Sequence, residues 1–407
     1  MPLVRSLVKK LFSTSVSFES AACLYSSKNV FTKPSSSFMT FNRGVTTVRN
    51  STTLSQAAAG TAVSKDEKRE FMAVFPDIVR DLTDAGRHLD IPEATKWYAK
   101  VLQYNVPGGK KNRGLALVLG YKHLAKSSDL TPENIRLAHI LGWCVELLQG
   151  AFLVWDDCMD ESSTRRGRPC WYKMPGVGLT AINDGNLLES GVFQLLRRHF
   201  KSRPYYIDIV ELFHDVGLKT KMGQTLDLLG AQHDHIVDLK NLTMDRYNSI
   251  VKYKTAYYSF YLPIALAMRM AGINDEERHR QAKTILLEMG HFFQVQDDYM
   301  DCFGSPEVTG KVGTDIQEGK CSWLVVVALQ RATREQRQLL KECYGSSDPE
   351  KVHRVKTLYE EIGLPATFAT YEEESYNLIK THIQQISSGM SHDLFFKLLE
   401  KIYRRDS

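Results

Sequence analysis

Two segments of this chain repeat one pattern. Ala151 to Asp160 reads AFLVWDDCMD, and Phe292 to Asp301 reads FFQVQDDYMD. Each is an apolar run at helical spacing that ends in DDxxD. Positions i and i+4 share one face of an α-helix, so Asp156 pairs with Asp160, and Asp297 with Asp301. Carboxylates held that close repel unless a cation sits between them. Mg²⁺ meets that need: it takes oxygen ligands and is commonly shared between one or two carboxylates and a substrate phosphate. The residues upstream are apolar or aromatic in both copies (Phe152, Leu153, Val154; Phe292, Phe293, Val295). Acids at the end of such helices belong at the mouth of a buried space rather than on an open surface. Two such helices, bringing their acidic ends to one cavity, would hold Mg²⁺ around a diphosphate.

The rest of the chain from about Ser64 is compatible with that demand. Helical periodicity recurs in Phe71–Leu82, Leu137–Asp160, Asn186–Phe200, Ile207–Leu229, Met244–Ala271, Glu277–Tyr299 and Trp323–Leu329. Lys351–Glu361, Thr367–Gln385 and Ser391–Tyr403 continue it to the end. Period-two alternation is nearly absent, so no strand is expected. Loops are marked at Pro107 to Gly109, Gly167 to Gly178, Gly304 to Gly313 and Gly345 to Pro349. No linker interrupts residues 65–407, and one all-α helical bundle with a central cavity is the expected fold. Bundles build metal sites from side chains on facing helices.

The net charge of +5 does not describe that bundle. Residues 1–64 hold seven Lys and Arg against the single acid Glu19, a charge of +6, which leaves −1 for the remainder. A nucleic-acid surface is therefore not expected. In the leader, Leu3, Val4, Leu7, Val8, Leu11 and Phe12 recur at helical spacing, with Arg5, Lys9 and Lys10 between them. A Ser/Thr-rich, acid-poor stretch follows. This is the composition of a mitochondrial transit peptide, which points to the matrix, or to the cytosol if the leader is absent or skipped. No run of about 18 uncharged apolar residues appears, so no transmembrane helix is expected. The 7 cysteines show neither CxxC nor zinc spacing, which suits a reducing compartment.

Five basic groups complement the acids. Gly108 to Gly114 reads GGKKNRG, where Lys110 and Arg113 offer charge to an anion and the glycines allow close backbone approach. Thr164 to Arg168 places Arg165 and Arg166 just past the first cluster, suited to bidentate phosphate contact or to balancing the aspartates. Lys252 and Lys254, followed by Thr255, lie in an aromatic helix, where a lysine either snorkels to the surface or is buried and paired. Lys311 and Lys320 follow the second cluster, and Lys401 to Arg405 end the chain. Gln224 and Asp227 add a polar pair on another helix. His233 and His235 lack the partners that zinc needs.

These strings resemble the trans-isoprenyl diphosphate synthase family, and within it the animal farnesyl diphosphate synthases. GGKKNRG, GWCVELLQ, DDCMD, TRRG, GQTLDLL, SIVKYKTAYYSFYLPIA, QDDYMD, VTGKVGTDIQ and KCSWLVV carry the resemblance, across roughly residues 70–405. It implies the type I isoprenoid synthase fold, usually a homodimer, and head-to-tail condensation of isopentenyl diphosphate with an allylic diphosphate. It implies Mg²⁺ as cofactor, about three ions per site, on Asp156, Asp160, Asp297 and Asp301. Arg165, Lys254, Thr255, Gln294, Lys311 and Lys320 match allylic-diphosphate contacts, and Lys110, Arg113, Gln149 and Arg166 match the isopentenyl-diphosphate site. Asp227 matches an acidic position beside the metals. Lys254, Asp297 and Arg165 are the expected catalytic groups.

The departures concern product length, which the family sets by bulk upstream of the first DDxxD. Ala151 and Phe152 stand where animal farnesyl synthases usually have two aromatics, and Trp155 stands where the family is usually small. Trp155 lies i+4 from Ala151 and can refill part of the volume. Products of ten, fifteen or twenty carbons stay open. A terpene synthase of the same fold, ionising a prenyl diphosphate without isopentenyl diphosphate, is the alternative. It would not need Lys110, Arg113, Gln149 and Arg166.

Residues 1–64 fused to a fluorescent protein are expected to collect in mitochondria. A diffuse cytosolic signal on microscopy would remove the targeting role.

Overall fold

Almost every apolar period in the sequence becomes a helix, and the glycines decide how closely those helices approach. A computed structural model describes residues 65–403 apart from 88, 231–236, 306–311 and 388. The leader, His233, His235, Lys311, Arg404 and Arg405 lie outside the described residues. Three helices come first: α1 (Lys65–Ala73), α2 (Phe75–Arg87) and α3 (Pro92–Asn105). The glycine-basic loop leads into α4 (Asn112–Leu124) and the long α5 (Pro132–Met159). A hairpin of β1 (Thr164–Arg165) and β2 (Arg168–Pro169) precedes α6 (Ala181–Phe200) and α7 (Tyr206–Leu228). Next come α8 (Met244–Ile250), a π-helical segment (Val251–Tyr261) and α9 (Leu262–Met270). The second acid cluster rides on α10 (Glu276–Phe303). The remaining helices are α11 (Trp323–Arg331), α12 (Arg334–Cys343), α13 (Pro349–Glu361), α14 (Leu364–Gln384) and α15 (His392–Ile402).

The long helices start where side chains satisfy their free N–H groups. Thr131 accepts from Asn134 N ahead of Pro132 in α5, and Asp275 accepts from Arg278 N in α10. Helix α5 is long and apolar enough to cross a membrane, yet 83% of its most apolar window is buried by protein, so it is a core helix. Six cysteines are described and all are free.

Sequence periodicity passed over α3, α4 and α12. In α4 the glycines mask the pattern. Gly114 and Gly142 instead let α4 and α5 cross closely: a Cβ on Gly114 would stand 2.9 Å from the Gly142 carbonyl oxygen. The hairpin was also unexpected, since two-residue strands are too short to show alternation. Its turn places Arg166 at φ 55° and Gly167 at φ 70°, the left-handed pair that a tight hairpin with right-twisted strands requires.

The expected single helix Met244–Ala271 is divided by its π-helical middle. Two glycines on neighbouring helices admit that wider segment. A Cβ on Gly223 of α7 would lie 2.2 Å from Lys254 N, and one on Gly290 of α10 would lie 2.4 Å from Ala256 Cβ. π-Helical turns are rare and concentrate at functional sites. The segment joins two apolar cores: Val251 belongs to one with α10, α11, α13, α14 and α15, and Tyr257 and Tyr258 to the other with α2, α4, α5 and α6.

His291 lies between those helices. Nε2 donates to Asn248 Oδ1 at 2.9 Å and Nδ1 accepts from the Tyr371 hydroxyl at 3.0 Å, a pattern that holds one neutral tautomer. Burial lowers its pKa to about 4 from 6.5. The unfolded chain therefore binds the extra proton first as pH falls. This contribution to stability is full above pH 6.5 and is lost toward pH 4, by up to about 3 kcal/mol. Denaturant unfolding from pH 7 to 4 is expected to show that loss, and a His291→Gln variant to flatten it.

Candidate active site

The C-terminal turn of α5 presents its acids as helical spacing requires. Asp156 and Asp160 line a cavity of about 420 Å³. Asp157, one residue round the helix, turns inward and is buried. The chain then reverses at Glu161, φ 51°, and the hairpin brings Arg165 back. Arg165 donates to Asp157 Oδ1 from Nε at 2.9 Å and Nη2 at 2.5 Å, and reaches Asp156 Oδ2 at 3.3 Å. Arg165 thus balances the aspartates while lining the cavity.

Two lysines tie the cluster to other helices. Lys254 Nζ lies 2.6 Å from Asp227 Oδ2 and 3.2 Å from Asp156 Oδ1. Lys320 Nζ lies 2.9 Å from Asp160 Oδ1 and 3.3 Å from Asp227 Oδ2. Gln224 Nε2 donates to Asp156 Oδ1 at 3.2 Å. Gly223 and Asp227 share one face of α7, so the close approach at Gly223 also sets Lys254 beside Asp227. Burial opposes charge on Asp156, yet Lys254, Arg165 and Lys320 outweigh it and hold this carboxyl well below the ordinary range. Asp227 follows the same balance through Lys254 and Lys320. For Asp160, burial and the Asp156 charge raise the pKa against the pull of Lys320. Burial likewise opposes charge on Lys254, but Asp156 and Asp227 raise its pKa well above normal. The lysine at 254 is therefore the paired, not the snorkelling, kind.

The second acid cluster is built differently. Asp297 lines the same cavity. Asp298 is buried and accepts from Trp323 N at 2.8 Å and Gln294 Nε2 at 2.9 Å. Gln294 Oε1 in turn accepts from Thr255 Oγ1 at 2.9 Å, which links α10 to the π-helical segment. Burial pushes the Asp298 carboxyl up to about 7. Asp301, expected beside Asp297, is not on the cavity wall: it is buried and its Oδ2 accepts from Asp315 N at 3.0 Å. The loop at Gly313, which packs directly on the Asp301 backbone, covers that face of the helix end.

A third wall is basic. Arg113 donates to Ser259 Oγ at 2.7 Å and to Tyr258 Oη at 3.1 Å, with its guanidinium 4.7 Å above the Tyr258 ring. The Gln149 amide, oriented to satisfy both neighbours, accepts from Arg113 at 2.7 Å and donates to Glu146 at 3.2 Å. Arg166 donates to Asn105 O at 3.1 Å and packs on Gly109, where a Cβ would lie 2.9 Å from its Nε. Arg113, Gln149 and Arg166 all line the cavity, whereas Lys110 is exposed and stands off its wall. The adjacent Lys111 is buried instead, 2.8 Å from Glu146, whose other oxygen accepts from Gly114 N. Burial lowers the Lys111 pKa to about 8 despite that partner. This pair anchors the glycine-basic loop to α5.

An apolar cavity of about 540 Å³ shares Asp156, Lys254, Thr255 and Tyr258 with the charged one. Phe152 and Trp155 line it. Ala151, expected to deepen it, is fully buried in the core and does not reach its wall. The two cavities together suit a molecule with a polyanionic head and a greasy tail.

The donor set fits Mg²⁺. Asp156, Asp160 and Asp297 offer hard carboxylate oxygens to one cavity, and they would hold the ion with substrate oxygens and water completing its shell. Among the described residues no three acids, histidines or cysteines form a closed cage. Sequence reasoning missed Asp157 and Asp298 as buried anchors, Glu318 3.6 Å from Lys320, and Tyr258 and Ser259 under Arg113. The last pair lies some 145 positions away in sequence, where no local pattern signals it.

Known proteins share this architecture. A family model described as polyprenyl synthetase matches residues 95–362. The farnesyl pyrophosphate synthase of Nezara viridula is 60% identical over 343 residues, 84% of each chain. The human farnesyl pyrophosphate synthase is 54% identical over 344 residues, 84% of this chain and 82% of that one. The structure of T. brucei farnesyl diphosphate synthase complexed with risedronate aligns with a TM-score of 0.77 at 36% identity, covering 83% of this chain and 99% of that chain. With its two DDxxD helices closing on one charged cavity, the chain belongs to the polyprenyl synthetase family.

Proposed function

We propose that this protein is a Mg²⁺-dependent prenyltransferase that condenses isopentenyl diphosphate head to tail with dimethylallyl and geranyl diphosphates to give farnesyl diphosphate. One observation carries this: a polyanion-sized cavity, walled by Asp156, Asp160 and Asp297 on one side and Arg113 and Arg166 on another, opens into an apolar cavity. The names of its relatives support the product. Arg113, Gln149 and Arg166 supply a second, cation-lined site that a terpene synthase would not need, which favours the transferase.

Mg²⁺ bound at the aspartates would neutralise the allylic diphosphate and stabilise its charge on departure. Lys254, Lys320 and Arg165 face the same space and donate to the diphosphate as the allylic C–O bond breaks and negative charge grows on oxygen. Thr255 and Gln294 orient that group. Phe152 and Tyr258, 5.3 Å apart edge to face, line the path of the allylic cation, tolerate its charge and exclude water. Arg113 and Arg166 hold isopentenyl diphosphate so that its double bond attacks the allylic carbon. A C–C bond forms, and a proton leaves the neighbouring carbon for the departed diphosphate.

Two further parts of the proposal concern context. The composition of residues 1–64 supports delivery to the mitochondrial matrix. A homodimer is supported by an apolar stripe along α7. Ile207, Leu218, Met222 and Leu229 are 60%, 63%, 61% and 69% exposed, and their spacing puts them within roughly 60° of arc. A stripe of this kind is covered when it packs on its own copy about a two-fold axis.

Protein spanning residues 65–407, given Mg²⁺ and isopentenyl diphosphate with each allylic diphosphate, should release chain-extended diphosphates, and a chelator should stop it. Volatile hydrocarbons made from an allylic diphosphate alone would overturn the transferase. Lys254→Ala is expected to lower kcat by about 10²- to 10³-fold, as loss of a transition-state contact does. Arg113→Ala should mainly raise KM for isopentenyl diphosphate, as loss of uniform binding does. Light scattering should give twice the chain mass for the wild type and the single mass for Leu218→Glu/Met222→Glu. A monomeric wild type would refute the dimer.

A further inference from the structure

One wall of the apolar cavity depends on a contact between two helices. Trp155 of α5 lies against α6, with Nε1 donating to Ile182 O at 3.2 Å. At Gly185 the indole occupies the space a side chain would fill. A Cβ there would lie 2.3 Å from Trp155 Nε1, 2.7 Å from Cε2 and 2.8 Å from Cδ1. The other side of the ring is held more loosely: Lys221 Nζ sits 5.4 Å from it, and Phe152 stands 6.1 Å away.

Helix α6 cannot retreat from the ring. Asp184, the preceding residue, is buried and accepts from two indoles, Trp97 Nε1 and Trp171 Nε1, each at 2.8 Å. Those bonds tie the first turn of α6 to α3 and to the segment after the hairpin. A side chain at 185 therefore displaces Trp155 rather than the backbone, because all three atoms it meets belong to the indole and none to the main chain. The space open to the displaced indole is the apolar cavity that Trp155 already lines.

We propose that Gly185 is a specificity-determining position for product chain length, acting through the seat it gives Trp155. Sequence reasoning looked for this determinant next to the first DDxxD, at Ala151, Phe152 and Trp155. The structure assigns part of it to a different helix. The cavity keeps its depth, despite a tryptophan at its wall, because α6 has no side chain where the indole lies. The inference rests on the prenyltransferase reading, and concerns which tail the same site accepts.

The test compares wild type, Gly185→Ala, Trp155→Ala and the double variant, supplied with isopentenyl diphosphate and dimethylallyl or geranyl diphosphate. Products are resolved by chain length. Gly185→Ala should cut the fraction of the longest wild-type product at least fivefold and accumulate the product one five-carbon unit shorter. Trp155→Ala should lengthen the product. In the Trp155→Ala background, adding Gly185→Ala should change little, since no indole remains to be displaced. An unchanged product with Gly185→Ala, or an equal shortening in both backgrounds, would overturn the proposal. If Gly185→Ala does not fold, Trp155→Phe and Gly185→Ala/Trp155→Phe replace it, with the shorter product expected from the double variant and equal products refuting. If the wild type extends no chain at all, the prenyltransferase reading fails separately. The affinities of thiolodiphosphate analogues with ten-, fifteen- and twenty-carbon tails then read cavity depth directly. Gly185→Ala should weaken the longest tail at least fivefold and spare the shortest, and a uniform effect would refute it.

Discussion

Lys254 and Lys320, bridging Asp156, Asp160 and Asp227, hold the centre of this molecule together. Taking an isolated charge out of water into a helical bundle costs several kcal/mol. Here two ammonium groups and three carboxylates share that cost across α5, α7, the π-helical segment and the loop before α11. Removing any one of them would leave its partners buried or half-buried with their charge uncompensated. Asp156 and Asp227 stay ionised and the lysines stay protonated near neutral pH, which is the state in which oxygen ligands attract a divalent ion and ammonium groups attract a diphosphate.

That arrangement asks the backbone for conformations that regular helices do not supply. Gly223 and Gly290 make room for a widened helix, and the widened helix carries Lys254 and Thr255. Arg166 accepts a left-handed conformation in the hairpin turn so that Arg165 returns to Asp157. Lys111 is left-handed as well, φ 59°, and buries its ammonium against Glu146 to fix the loop that bears Arg113. Each departure lies within a few residues of the charged cavity. Strain of this kind persists only where surrounding contacts over-determine it.

The second DDxxD copy is chemically asymmetric with the first. Asp156 and Asp160 both reach the cavity, whereas in the second set Asp297 and the buried Asp298 line it and Asp301 does not. Asp298 and Asp301 accept backbone N–H groups from Trp323 and Asp315, and so lock the loop after α10 onto that helix. The first acid cluster presents two carboxylates to the cavity. The other spends most of its acids on holding the protein's own chain.

Much of the site was legible in the linear chain because its determinants are local. The spacing of Asp156 and Asp160, the basic strings around Arg113, Arg165 and Lys254, and the helical periods of α5, α7 and α10 are short-range properties of sequence. So was the all-α class. Tertiary structure alone decided what depends on contacts between distant segments. It turned Asp301 away from the cavity, left Lys110 off the wall and Ala151 in the core, split the helix around Lys254 and set Gly185 under Trp155. Periodicity reports which face of a helix is apolar, but not how closely a second helix approaches it. That distance is set by side chains on another segment, and here most often by the absence of one, at Gly114, Gly142, Gly185, Gly223 and Gly290.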